Sequence, residues 1–212
     1  MHSSPPSLEK FPNWLRFCVG AWLLIWIPSY WHTWGASNFL QMCDIAVIFT
    51  CIGLITDNRL LISSQAVSSL LVDFAWIVDA ASQFLFHRHL TGGTDYLFDA
   101  QYPLWVRLLS LFHVAMPILL LALLGRVGYD RRGFPLQCVI AVGAFMASRF
   151  TNPAKNMNFA FGDPFFHRAW GPPAVHVLIS FAFMVVVVYF PTHWFLSRFF
   201  SRTKPREQVA ST

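Results

Sequence analysis

The stretch LLISSQAVSSLLVDFAWIVDAASQFLF, residues 60–86, decides the fold. It is a run of 27 residues without Lys, Arg or Pro. Roughly 20 apolar residues cross the hydrocarbon core of a bilayer as a helix. The run is longer than that, so it predicts one helix that is tilted or enclosed by neighbours. Division into two short elements is the alternative, and it would change the number of spans. Two carboxylates, Asp73 and Asp79, sit inside the run. A charge in lipid is costly and is kept mostly where it lines an enclosed site. Asp73, Trp76 and Asp79 follow one another at three-residue steps, which puts them on one helix face.

Five further apolar runs flank this one, at about 14–30, 39–55, 104–124, 134–150 and 174–199. The expected fold is therefore all-α, a polytopic transmembrane helix bundle of about six spans. A single integral membrane domain covers 1–212, with flexible cytoplasmic tails at 1–12 and 202–212. Composition agrees: 56% of residues are hydrophobic and 12% charged, about half the charge of a soluble domain. The 17% aromatic content suits interfacial belts. The net charge of +5 does not mark a nucleic-acid binder, because the basic residues lie in short loops and near the C-terminus. With the N-terminus inside, 10 Lys and Arg fall on the inner side and 5 on the outer. That bias predicts both termini in the cytoplasm and a multi-pass protein of the cell membrane. The first run has no small-residue cleavage site, so it reads as a retained anchor. Cys18, Cys43, Cys51 and Cys138 lie in apolar stretches and read as small buried hydrophobes, not a disulfide framework.

Depth follows from this orientation at about 1.5 Å per residue. Asn38, Gln41 and Asp44 fall in the outer half of the second span, at a spacing that shares one helix face. Asp79 and Gln83 fall in the outer half of the third, with Asp73 near its middle. Arg107 lies near the outer surface and His113 deeper in the fourth span. Ser148, Arg149 and His176 lie at outer ends. The inner halves read as apolar. Two outer loops, HRHLTGGTDYLFDAQYP (87–103) and TNPAKNMNFAFGDPFFHRAWGP (151–172), add acids, amides, Lys155 and turn formers. The second is expected to fold over the bundle mouth. The clustering predicts an outward-facing polar pocket.

A histidine and a carboxylate in such a pocket make a general base, the carboxylate fixing the imidazole tautomer. His113 with Asp44 is the expected catalytic pair, because the two lie at similar depth. Asn38, Gln41, Asp73, Asp79, Arg149, Lys155, Asn156 and His176 are the expected substrate-binding residues. Arg149, Lys155 or the loop amides would hold an anionic head or an oxyanion. No cofactor is expected. A metal site on His113, His176 and Asp73 or Asp79 lacks any HxxxH or HExxH spacing, and none is expected.

Each residue also has a structural reading. Asp73 and Asp79 can pair with Arg107 or Arg149. Asp44 can cap a polar helix contact. His113 can serve the kink at Pro117, whose missing N–H frees the His113 carbonyl. His167 and His176 can be interfacial, His87 and His89 solvated, and Arg149 and Lys155 headgroup anchors.

The segment 38–57, NFLQMCDIAVIFTCIGLITD, resembles the second-span region of the androgen-induced membrane hydrolases, which cleave fatty acid esters of hydroxy fatty acids. The segment 99–120, with Pro103, Trp105 and LFHVAMPILL, resembles their histidine-bearing helix. NPAKNMNFAFG falls where that family has another outer loop. The likeness covers about a third of the chain. It implies that His113 is the counterpart of the catalytic histidine. The family's intramembrane threonine nucleophile is replaced here by Gln41, and Thr50 lies about two turns deeper. The chain also resembles uncharacterised bacterial multi-pass proteins of similar size.

Three functions are open on these grounds. The first is a lipid acyl-ester hydrolase or acyl-transfer enzyme acting in the bilayer. The second is a binding or transport module for a small polar solute or lipid head, with Asp73 and Asp79 titrating. The third is an assembly protein whose polar groups only join helices.

Overall fold

The computed structural model describes residues 11–201. The expected tail 202–212 lies outside them, as do Lys10, Arg202, Lys204 and Arg206. Residues 1–10 of the expected N-terminal tail also lie outside them; Phe11 is buried, and its N–H donates to Asp57 Oδ1 at 3.0 Å.

The described residues form helices and loops in one bundle. α1 is Asn13–Trp34, α2 Met42–Ile55, α3 Arg59–Phe86, α4 the short Asp95–Phe98, α5 Leu104–Leu109, α6 Phe112–Val127, α7 Gly133–Ser148, α8 Pro173–Phe183 and α9 Phe190–Phe199. Met184–Tyr189 is a π-helical turn that joins α8 to α9. It directly precedes Pro191, whose missing N–H leaves a carbonyl one turn earlier without its helical donor.

The passes run up and down between two ends. At the proximal end, Arg16 makes a two-pronged salt bridge with Asp57 and donates to the Ile55 carbonyl at 2.9 Å. Arg59 donates to the carbonyls of Gly128 and Tyr129, and the Tyr129 N–H donates to Phe200 O at 2.8 Å. The loops 35–41, 87–103 and 149–172 meet at the distal end. Among the described residues the helices form six passes along the bundle: α1, α2, α3, α5 with α6, α7, and α8 with α9. Three of them, Arg59–Phe86, Leu104–Val127 and Pro173–Phe199, are long and apolar enough to cross a membrane. Met42–Ile55 and Gly133–Ser148 are apolar but shorter.

α3 is the central pass and packs on α2, α6, α7 and α9. It is undivided, as its apolar run predicts. Its serine-rich start, Ser63–Ser69, is buried throughout, and small residues there allow close backbone approach. Gly133 at the start of α7 uses that surface: a Cβ on it would lie 2.8 Å from the Ser63 backbone. Large apolar side chains such as Phe17, Leu24, Ile118, Val139 and Leu178 cover the outside of the bundle. A water-soluble monomer rarely presents so much contiguous apolar surface.

The proximal half of the bundle is more polar than its apolar runs imply. Gln65 donates to Ser64 Oγ at 2.8 Å and Gln137 to Ser68 Oγ at 2.9 Å, all four buried between α3 and α7. The buried Asp and His side chains cluster distally; the amides do not.

Candidate functional site

The fourth pass is broken where the site begins. α5 ends at Leu109 and α6 starts at Phe112, so Ser110 and Leu111 form a tight turn. The Ser110 carbonyl accepts from the backbone N–H of His113 at 3.1 Å and from its ring Nδ1 at 2.8 Å. A carbonyl only accepts, so Nδ1 carries the proton and Nε2 keeps its lone pair. Nε2 makes no hydrogen bond to a described residue. The ring is 5% exposed and lies between two others. Trp76 from α3 stacks on it at 4.5 Å and 6°, and Phe112 at 4.0 Å and 23°. Such stacking holds the plane of the ring while leaving its edge open.

Hydroxyls surround this turn. Tyr30, near the end of α1, shares a 2.7 Å hydrogen bond with Ser110 Oγ. The Tyr96 hydroxyl accepts from Trp76 Nε1 at 3.2 Å and lies beside Ser110. Tyr96 belongs to α4, so the loop 87–103 puts a side chain into the site. Asp44 enters from α2, 2% exposed. Its Oδ2 accepts from Asn38 Nδ2 at 2.6 Å, and the Cys43 thiol lies 3.8 Å from Oδ1. Asp73 enters from α3, 1% exposed, and neither oxygen has a hydrogen-bond partner among the described residues. Ser69 approaches it from one turn earlier without completing a bond.

Several expectations are corrected. Asp44 and His113 do not bond each other; the Ser110 carbonyl, not a carboxylate, fixes the imidazole. Asn38, Gln41 and Asp44 do not share a helix face. Gly35, at φ 82°, ends α1, a 3-10 turn covers Ala36–Leu40, and Gln41 is extended at φ −58° and ψ 136°. Asn38 still reaches Asp44 by folding back from that turn. Asp73 and Asp79 pair with neither Arg107 nor Arg149. Asp79 holds the loop 87–103: Oδ1 accepts the N–H groups of Leu90 and Thr91 at 2.6 and 2.7 Å, and Oδ2 the Thr94 hydroxyl. His89, expected in solvent, sits 3.1 Å from Asp95 and 3.6 Å from Asp79.

The expected anion-holding cations are engaged elsewhere. Arg149 donates to Ala160 O at 3.0 Å and lies 4.2 Å over the Phe161 ring. Lys155 donates to Trp34 O at 2.7 Å. Asn156 closes its own loop through Gly162 and Phe161. His176 accepts from Trp170 N–H at Nδ1 and reaches Phe159 O at 2.9 Å from Nε2, so it shapes the loop 151–172. Thr50 is fully buried on α2, six residues beyond Asp44, with no hydrogen-bond partner. No group of three or more His, Cys, Asp or Glu among the described residues is placed to hold a metal ion.

Tyr30, Trp76, Tyr96, Ser110 and Cys43 are site residues that the sequence does not single out. Trp76 had a signal, its three-residue step from Asp73 and Asp79. Asn158 was also missed as a keystone. It donates to Leu40 O and Ser148 Oγ at 2.6 and 3.0 Å and accepts from Met42 N–H at 3.0 Å. Its φ of +50° is one that Asn tolerates better than most residues.

No family model, curated protein or solved structure matches this chain.

Proposed function

We propose that all six passes cross a bilayer, that both termini are cytoplasmic, and that the distal site hydrolyses an acyl ester of a lipid. The placement of His113 carries this: a stacked imidazole with Nδ1 fixed and Nε2 unbonded is built as a general base. In the step, Nε2 takes a proton from water as the water oxygen bonds to the acyl carbon. The ester C–O bond then breaks, and the leaving oxygen takes that proton back from the imidazolium. Tyr96 accepts from Trp76, so its own O–H proton is available to the carbonyl oxygen as negative charge develops there. Low dielectric around the site strengthens such contacts. A lipid substrate would reach them from the bilayer. The carrier alternative loses one of its two titrating acids, because Asp79 is committed to its loop.

The test is hydrolysis of a panel of lipid esters by the purified protein beside His113→Ala at matched thermal stability. A general base contributes about 10²–10⁴-fold. A loss of that size is expected; no turnover in the wild type would remove the hydrolase. For topology, single cysteines placed at Gly93 and Ser201 are probed with an impermeant maleimide. Gly93 should label in intact cells and Ser201 only after permeabilisation.

A further inference from the structure

We propose that the distal site receives an amine-bearing head, a cationic hydrogen-bond donor on an apolar chain, with the carboxyl groups of Asp73 and Asp44 as its acceptors. This rests on the site being a lipid site and names the class of head it takes.

Two buried carboxyl groups there lack a full set of donors, although the Ser69 hydroxyl beside Asp73 is unpartnered as well. Asp73 is 1% exposed with both oxygens unpartnered, and Asp44 is met only by Asn38 and the weak thiol donor of Cys43. The two approach from α3 and α2, which pack on each other. Leaving a buried acceptor unmet costs about 1–3 kcal/mol, and an ammonium group brings up to three donors. Asp79, by contrast, already has three donors and belongs to the loop.

No Lys or Arg among the described residues forms an ion pair with Asp44 or Asp73. Of the distal cations, Arg107, Arg149 and Lys155 donate to the carbonyls of Leu97, Ala160 and Trp34, Arg168 lies over the Trp170 ring, and Arg88 is exposed. A phosphate or carboxylate head would therefore meet two acids without a cation to offset them. Aromatic side chains complete the preference. Trp34 packs on Tyr30 at 4.6 Å and on Tyr96 at 5.8 Å, beside the same hydroxyls, and aromatic faces attract cations.

The experiment uses the full chain in nanodiscs. Octylamine, octanol, octanoate and octyl phosphate are titrated, and binding is read from thermal stability. Octylamine should bind saturably and at least tenfold more tightly than octanol, with neither anion stabilising. Asp73→Asn should weaken octylamine at least tenfold, while Asp130→Asn at the proximal end leaves it unchanged. Equal or better binding of an anion overturns the proposal, as does octylamine binding unaltered in Asp73→Asn. If Asp73→Asn does not fold, the wild-type ranking of the four heads decides alone. Amine binding without any ester turnover would remove the hydrolase and keep this inference; turnover without head preference would do the reverse.

Discussion

The Ser110 carbonyl oxygen lies 2.8 Å from His113 Nδ1, one turn back along the same pass. The histidine is thus oriented by its own main chain, at the break between α5 and α6. Where a buried carboxylate orients the imidazole, the amide substitution costs about 10⁴-fold in turnover. Asp44→Asn should therefore cost far less here, less than about tenfold in kcat for ester hydrolysis. A loss near the larger value would show that the carboxylate moves onto the imidazole during turnover.

Removing the Ser110 hydroxyl separates two roles of one residue. Ser110→Ala keeps the carbonyl that fixes His113 but strips the partner of the Tyr30 hydroxyl. A buried hydroxyl left unmet costs about 1–3 kcal/mol. Thermal unfolding in detergent should show that loss, with the histidine tautomer, read by nitrogen chemical shift, unchanged.

Gly133 meets α3 without a side chain between them, so Gly133→Ala must separate α7 from Ser63 and Ser64. Overpacking of this kind costs typically about 1–3 kcal/mol. Unfolding in a denaturant series measures it. An unchanged midpoint would mean that the helices part without penalty.

Asp79→Asn leaves one acceptor where the loop 87–103 uses two. Amide exchange at Leu90 and Thr91 should speed by about tenfold or more, the equivalent of 1.4 kcal/mol. Exchange in the proximal loop around Tyr129 should not change.

Asp130 lies in the proximal loop, outside the passes. Hydrogen bonds from the Arg132 side chain hold its carboxyl below the usual range, and partial burial opposes this. A depressed folded value means that the stabilisation is present above the unfolded value, about pH 3.9. It is lost as pH falls through the folded value. Arg132 is largely exposed, so solvent screening keeps the contribution small. Melting curves from pH 3 to pH 6 should separate wild type from Asp130→Asn at the upper end and bring them together at the lower.

The passes were legible because their apolar runs are set by length and composition, and both can be counted along a chain. The long run around Asp73 read correctly as one helix. The polar partnerships were harder, because they join side chains to backbone groups that a sequence does not display. Asp79 looked like a site residue, yet its partners are the N–H groups of Leu90 and Thr91. Asn38 and Gln41 matched a helical spacing, but Gly35 had already turned the chain out of a helix. Tyr30, Tyr96 and Ser110 carry no charge at neutral pH, so a search for ionisable groups passes over them. Gln65 and Gln137 escaped because serines, which are small and common, supply their partners.

Asn158 ties the turn between the first two passes to the end of α7. The parts it joins are made more than a hundred residues apart. During synthesis the hairpin of α1 and α2 must therefore wait, its Leu40 carbonyl and Met42 amide unmet, until the fifth pass and the loop beyond it have left the ribosome. The distal half of this protein is completed late, and any chaperone that guards it has its work between those two moments.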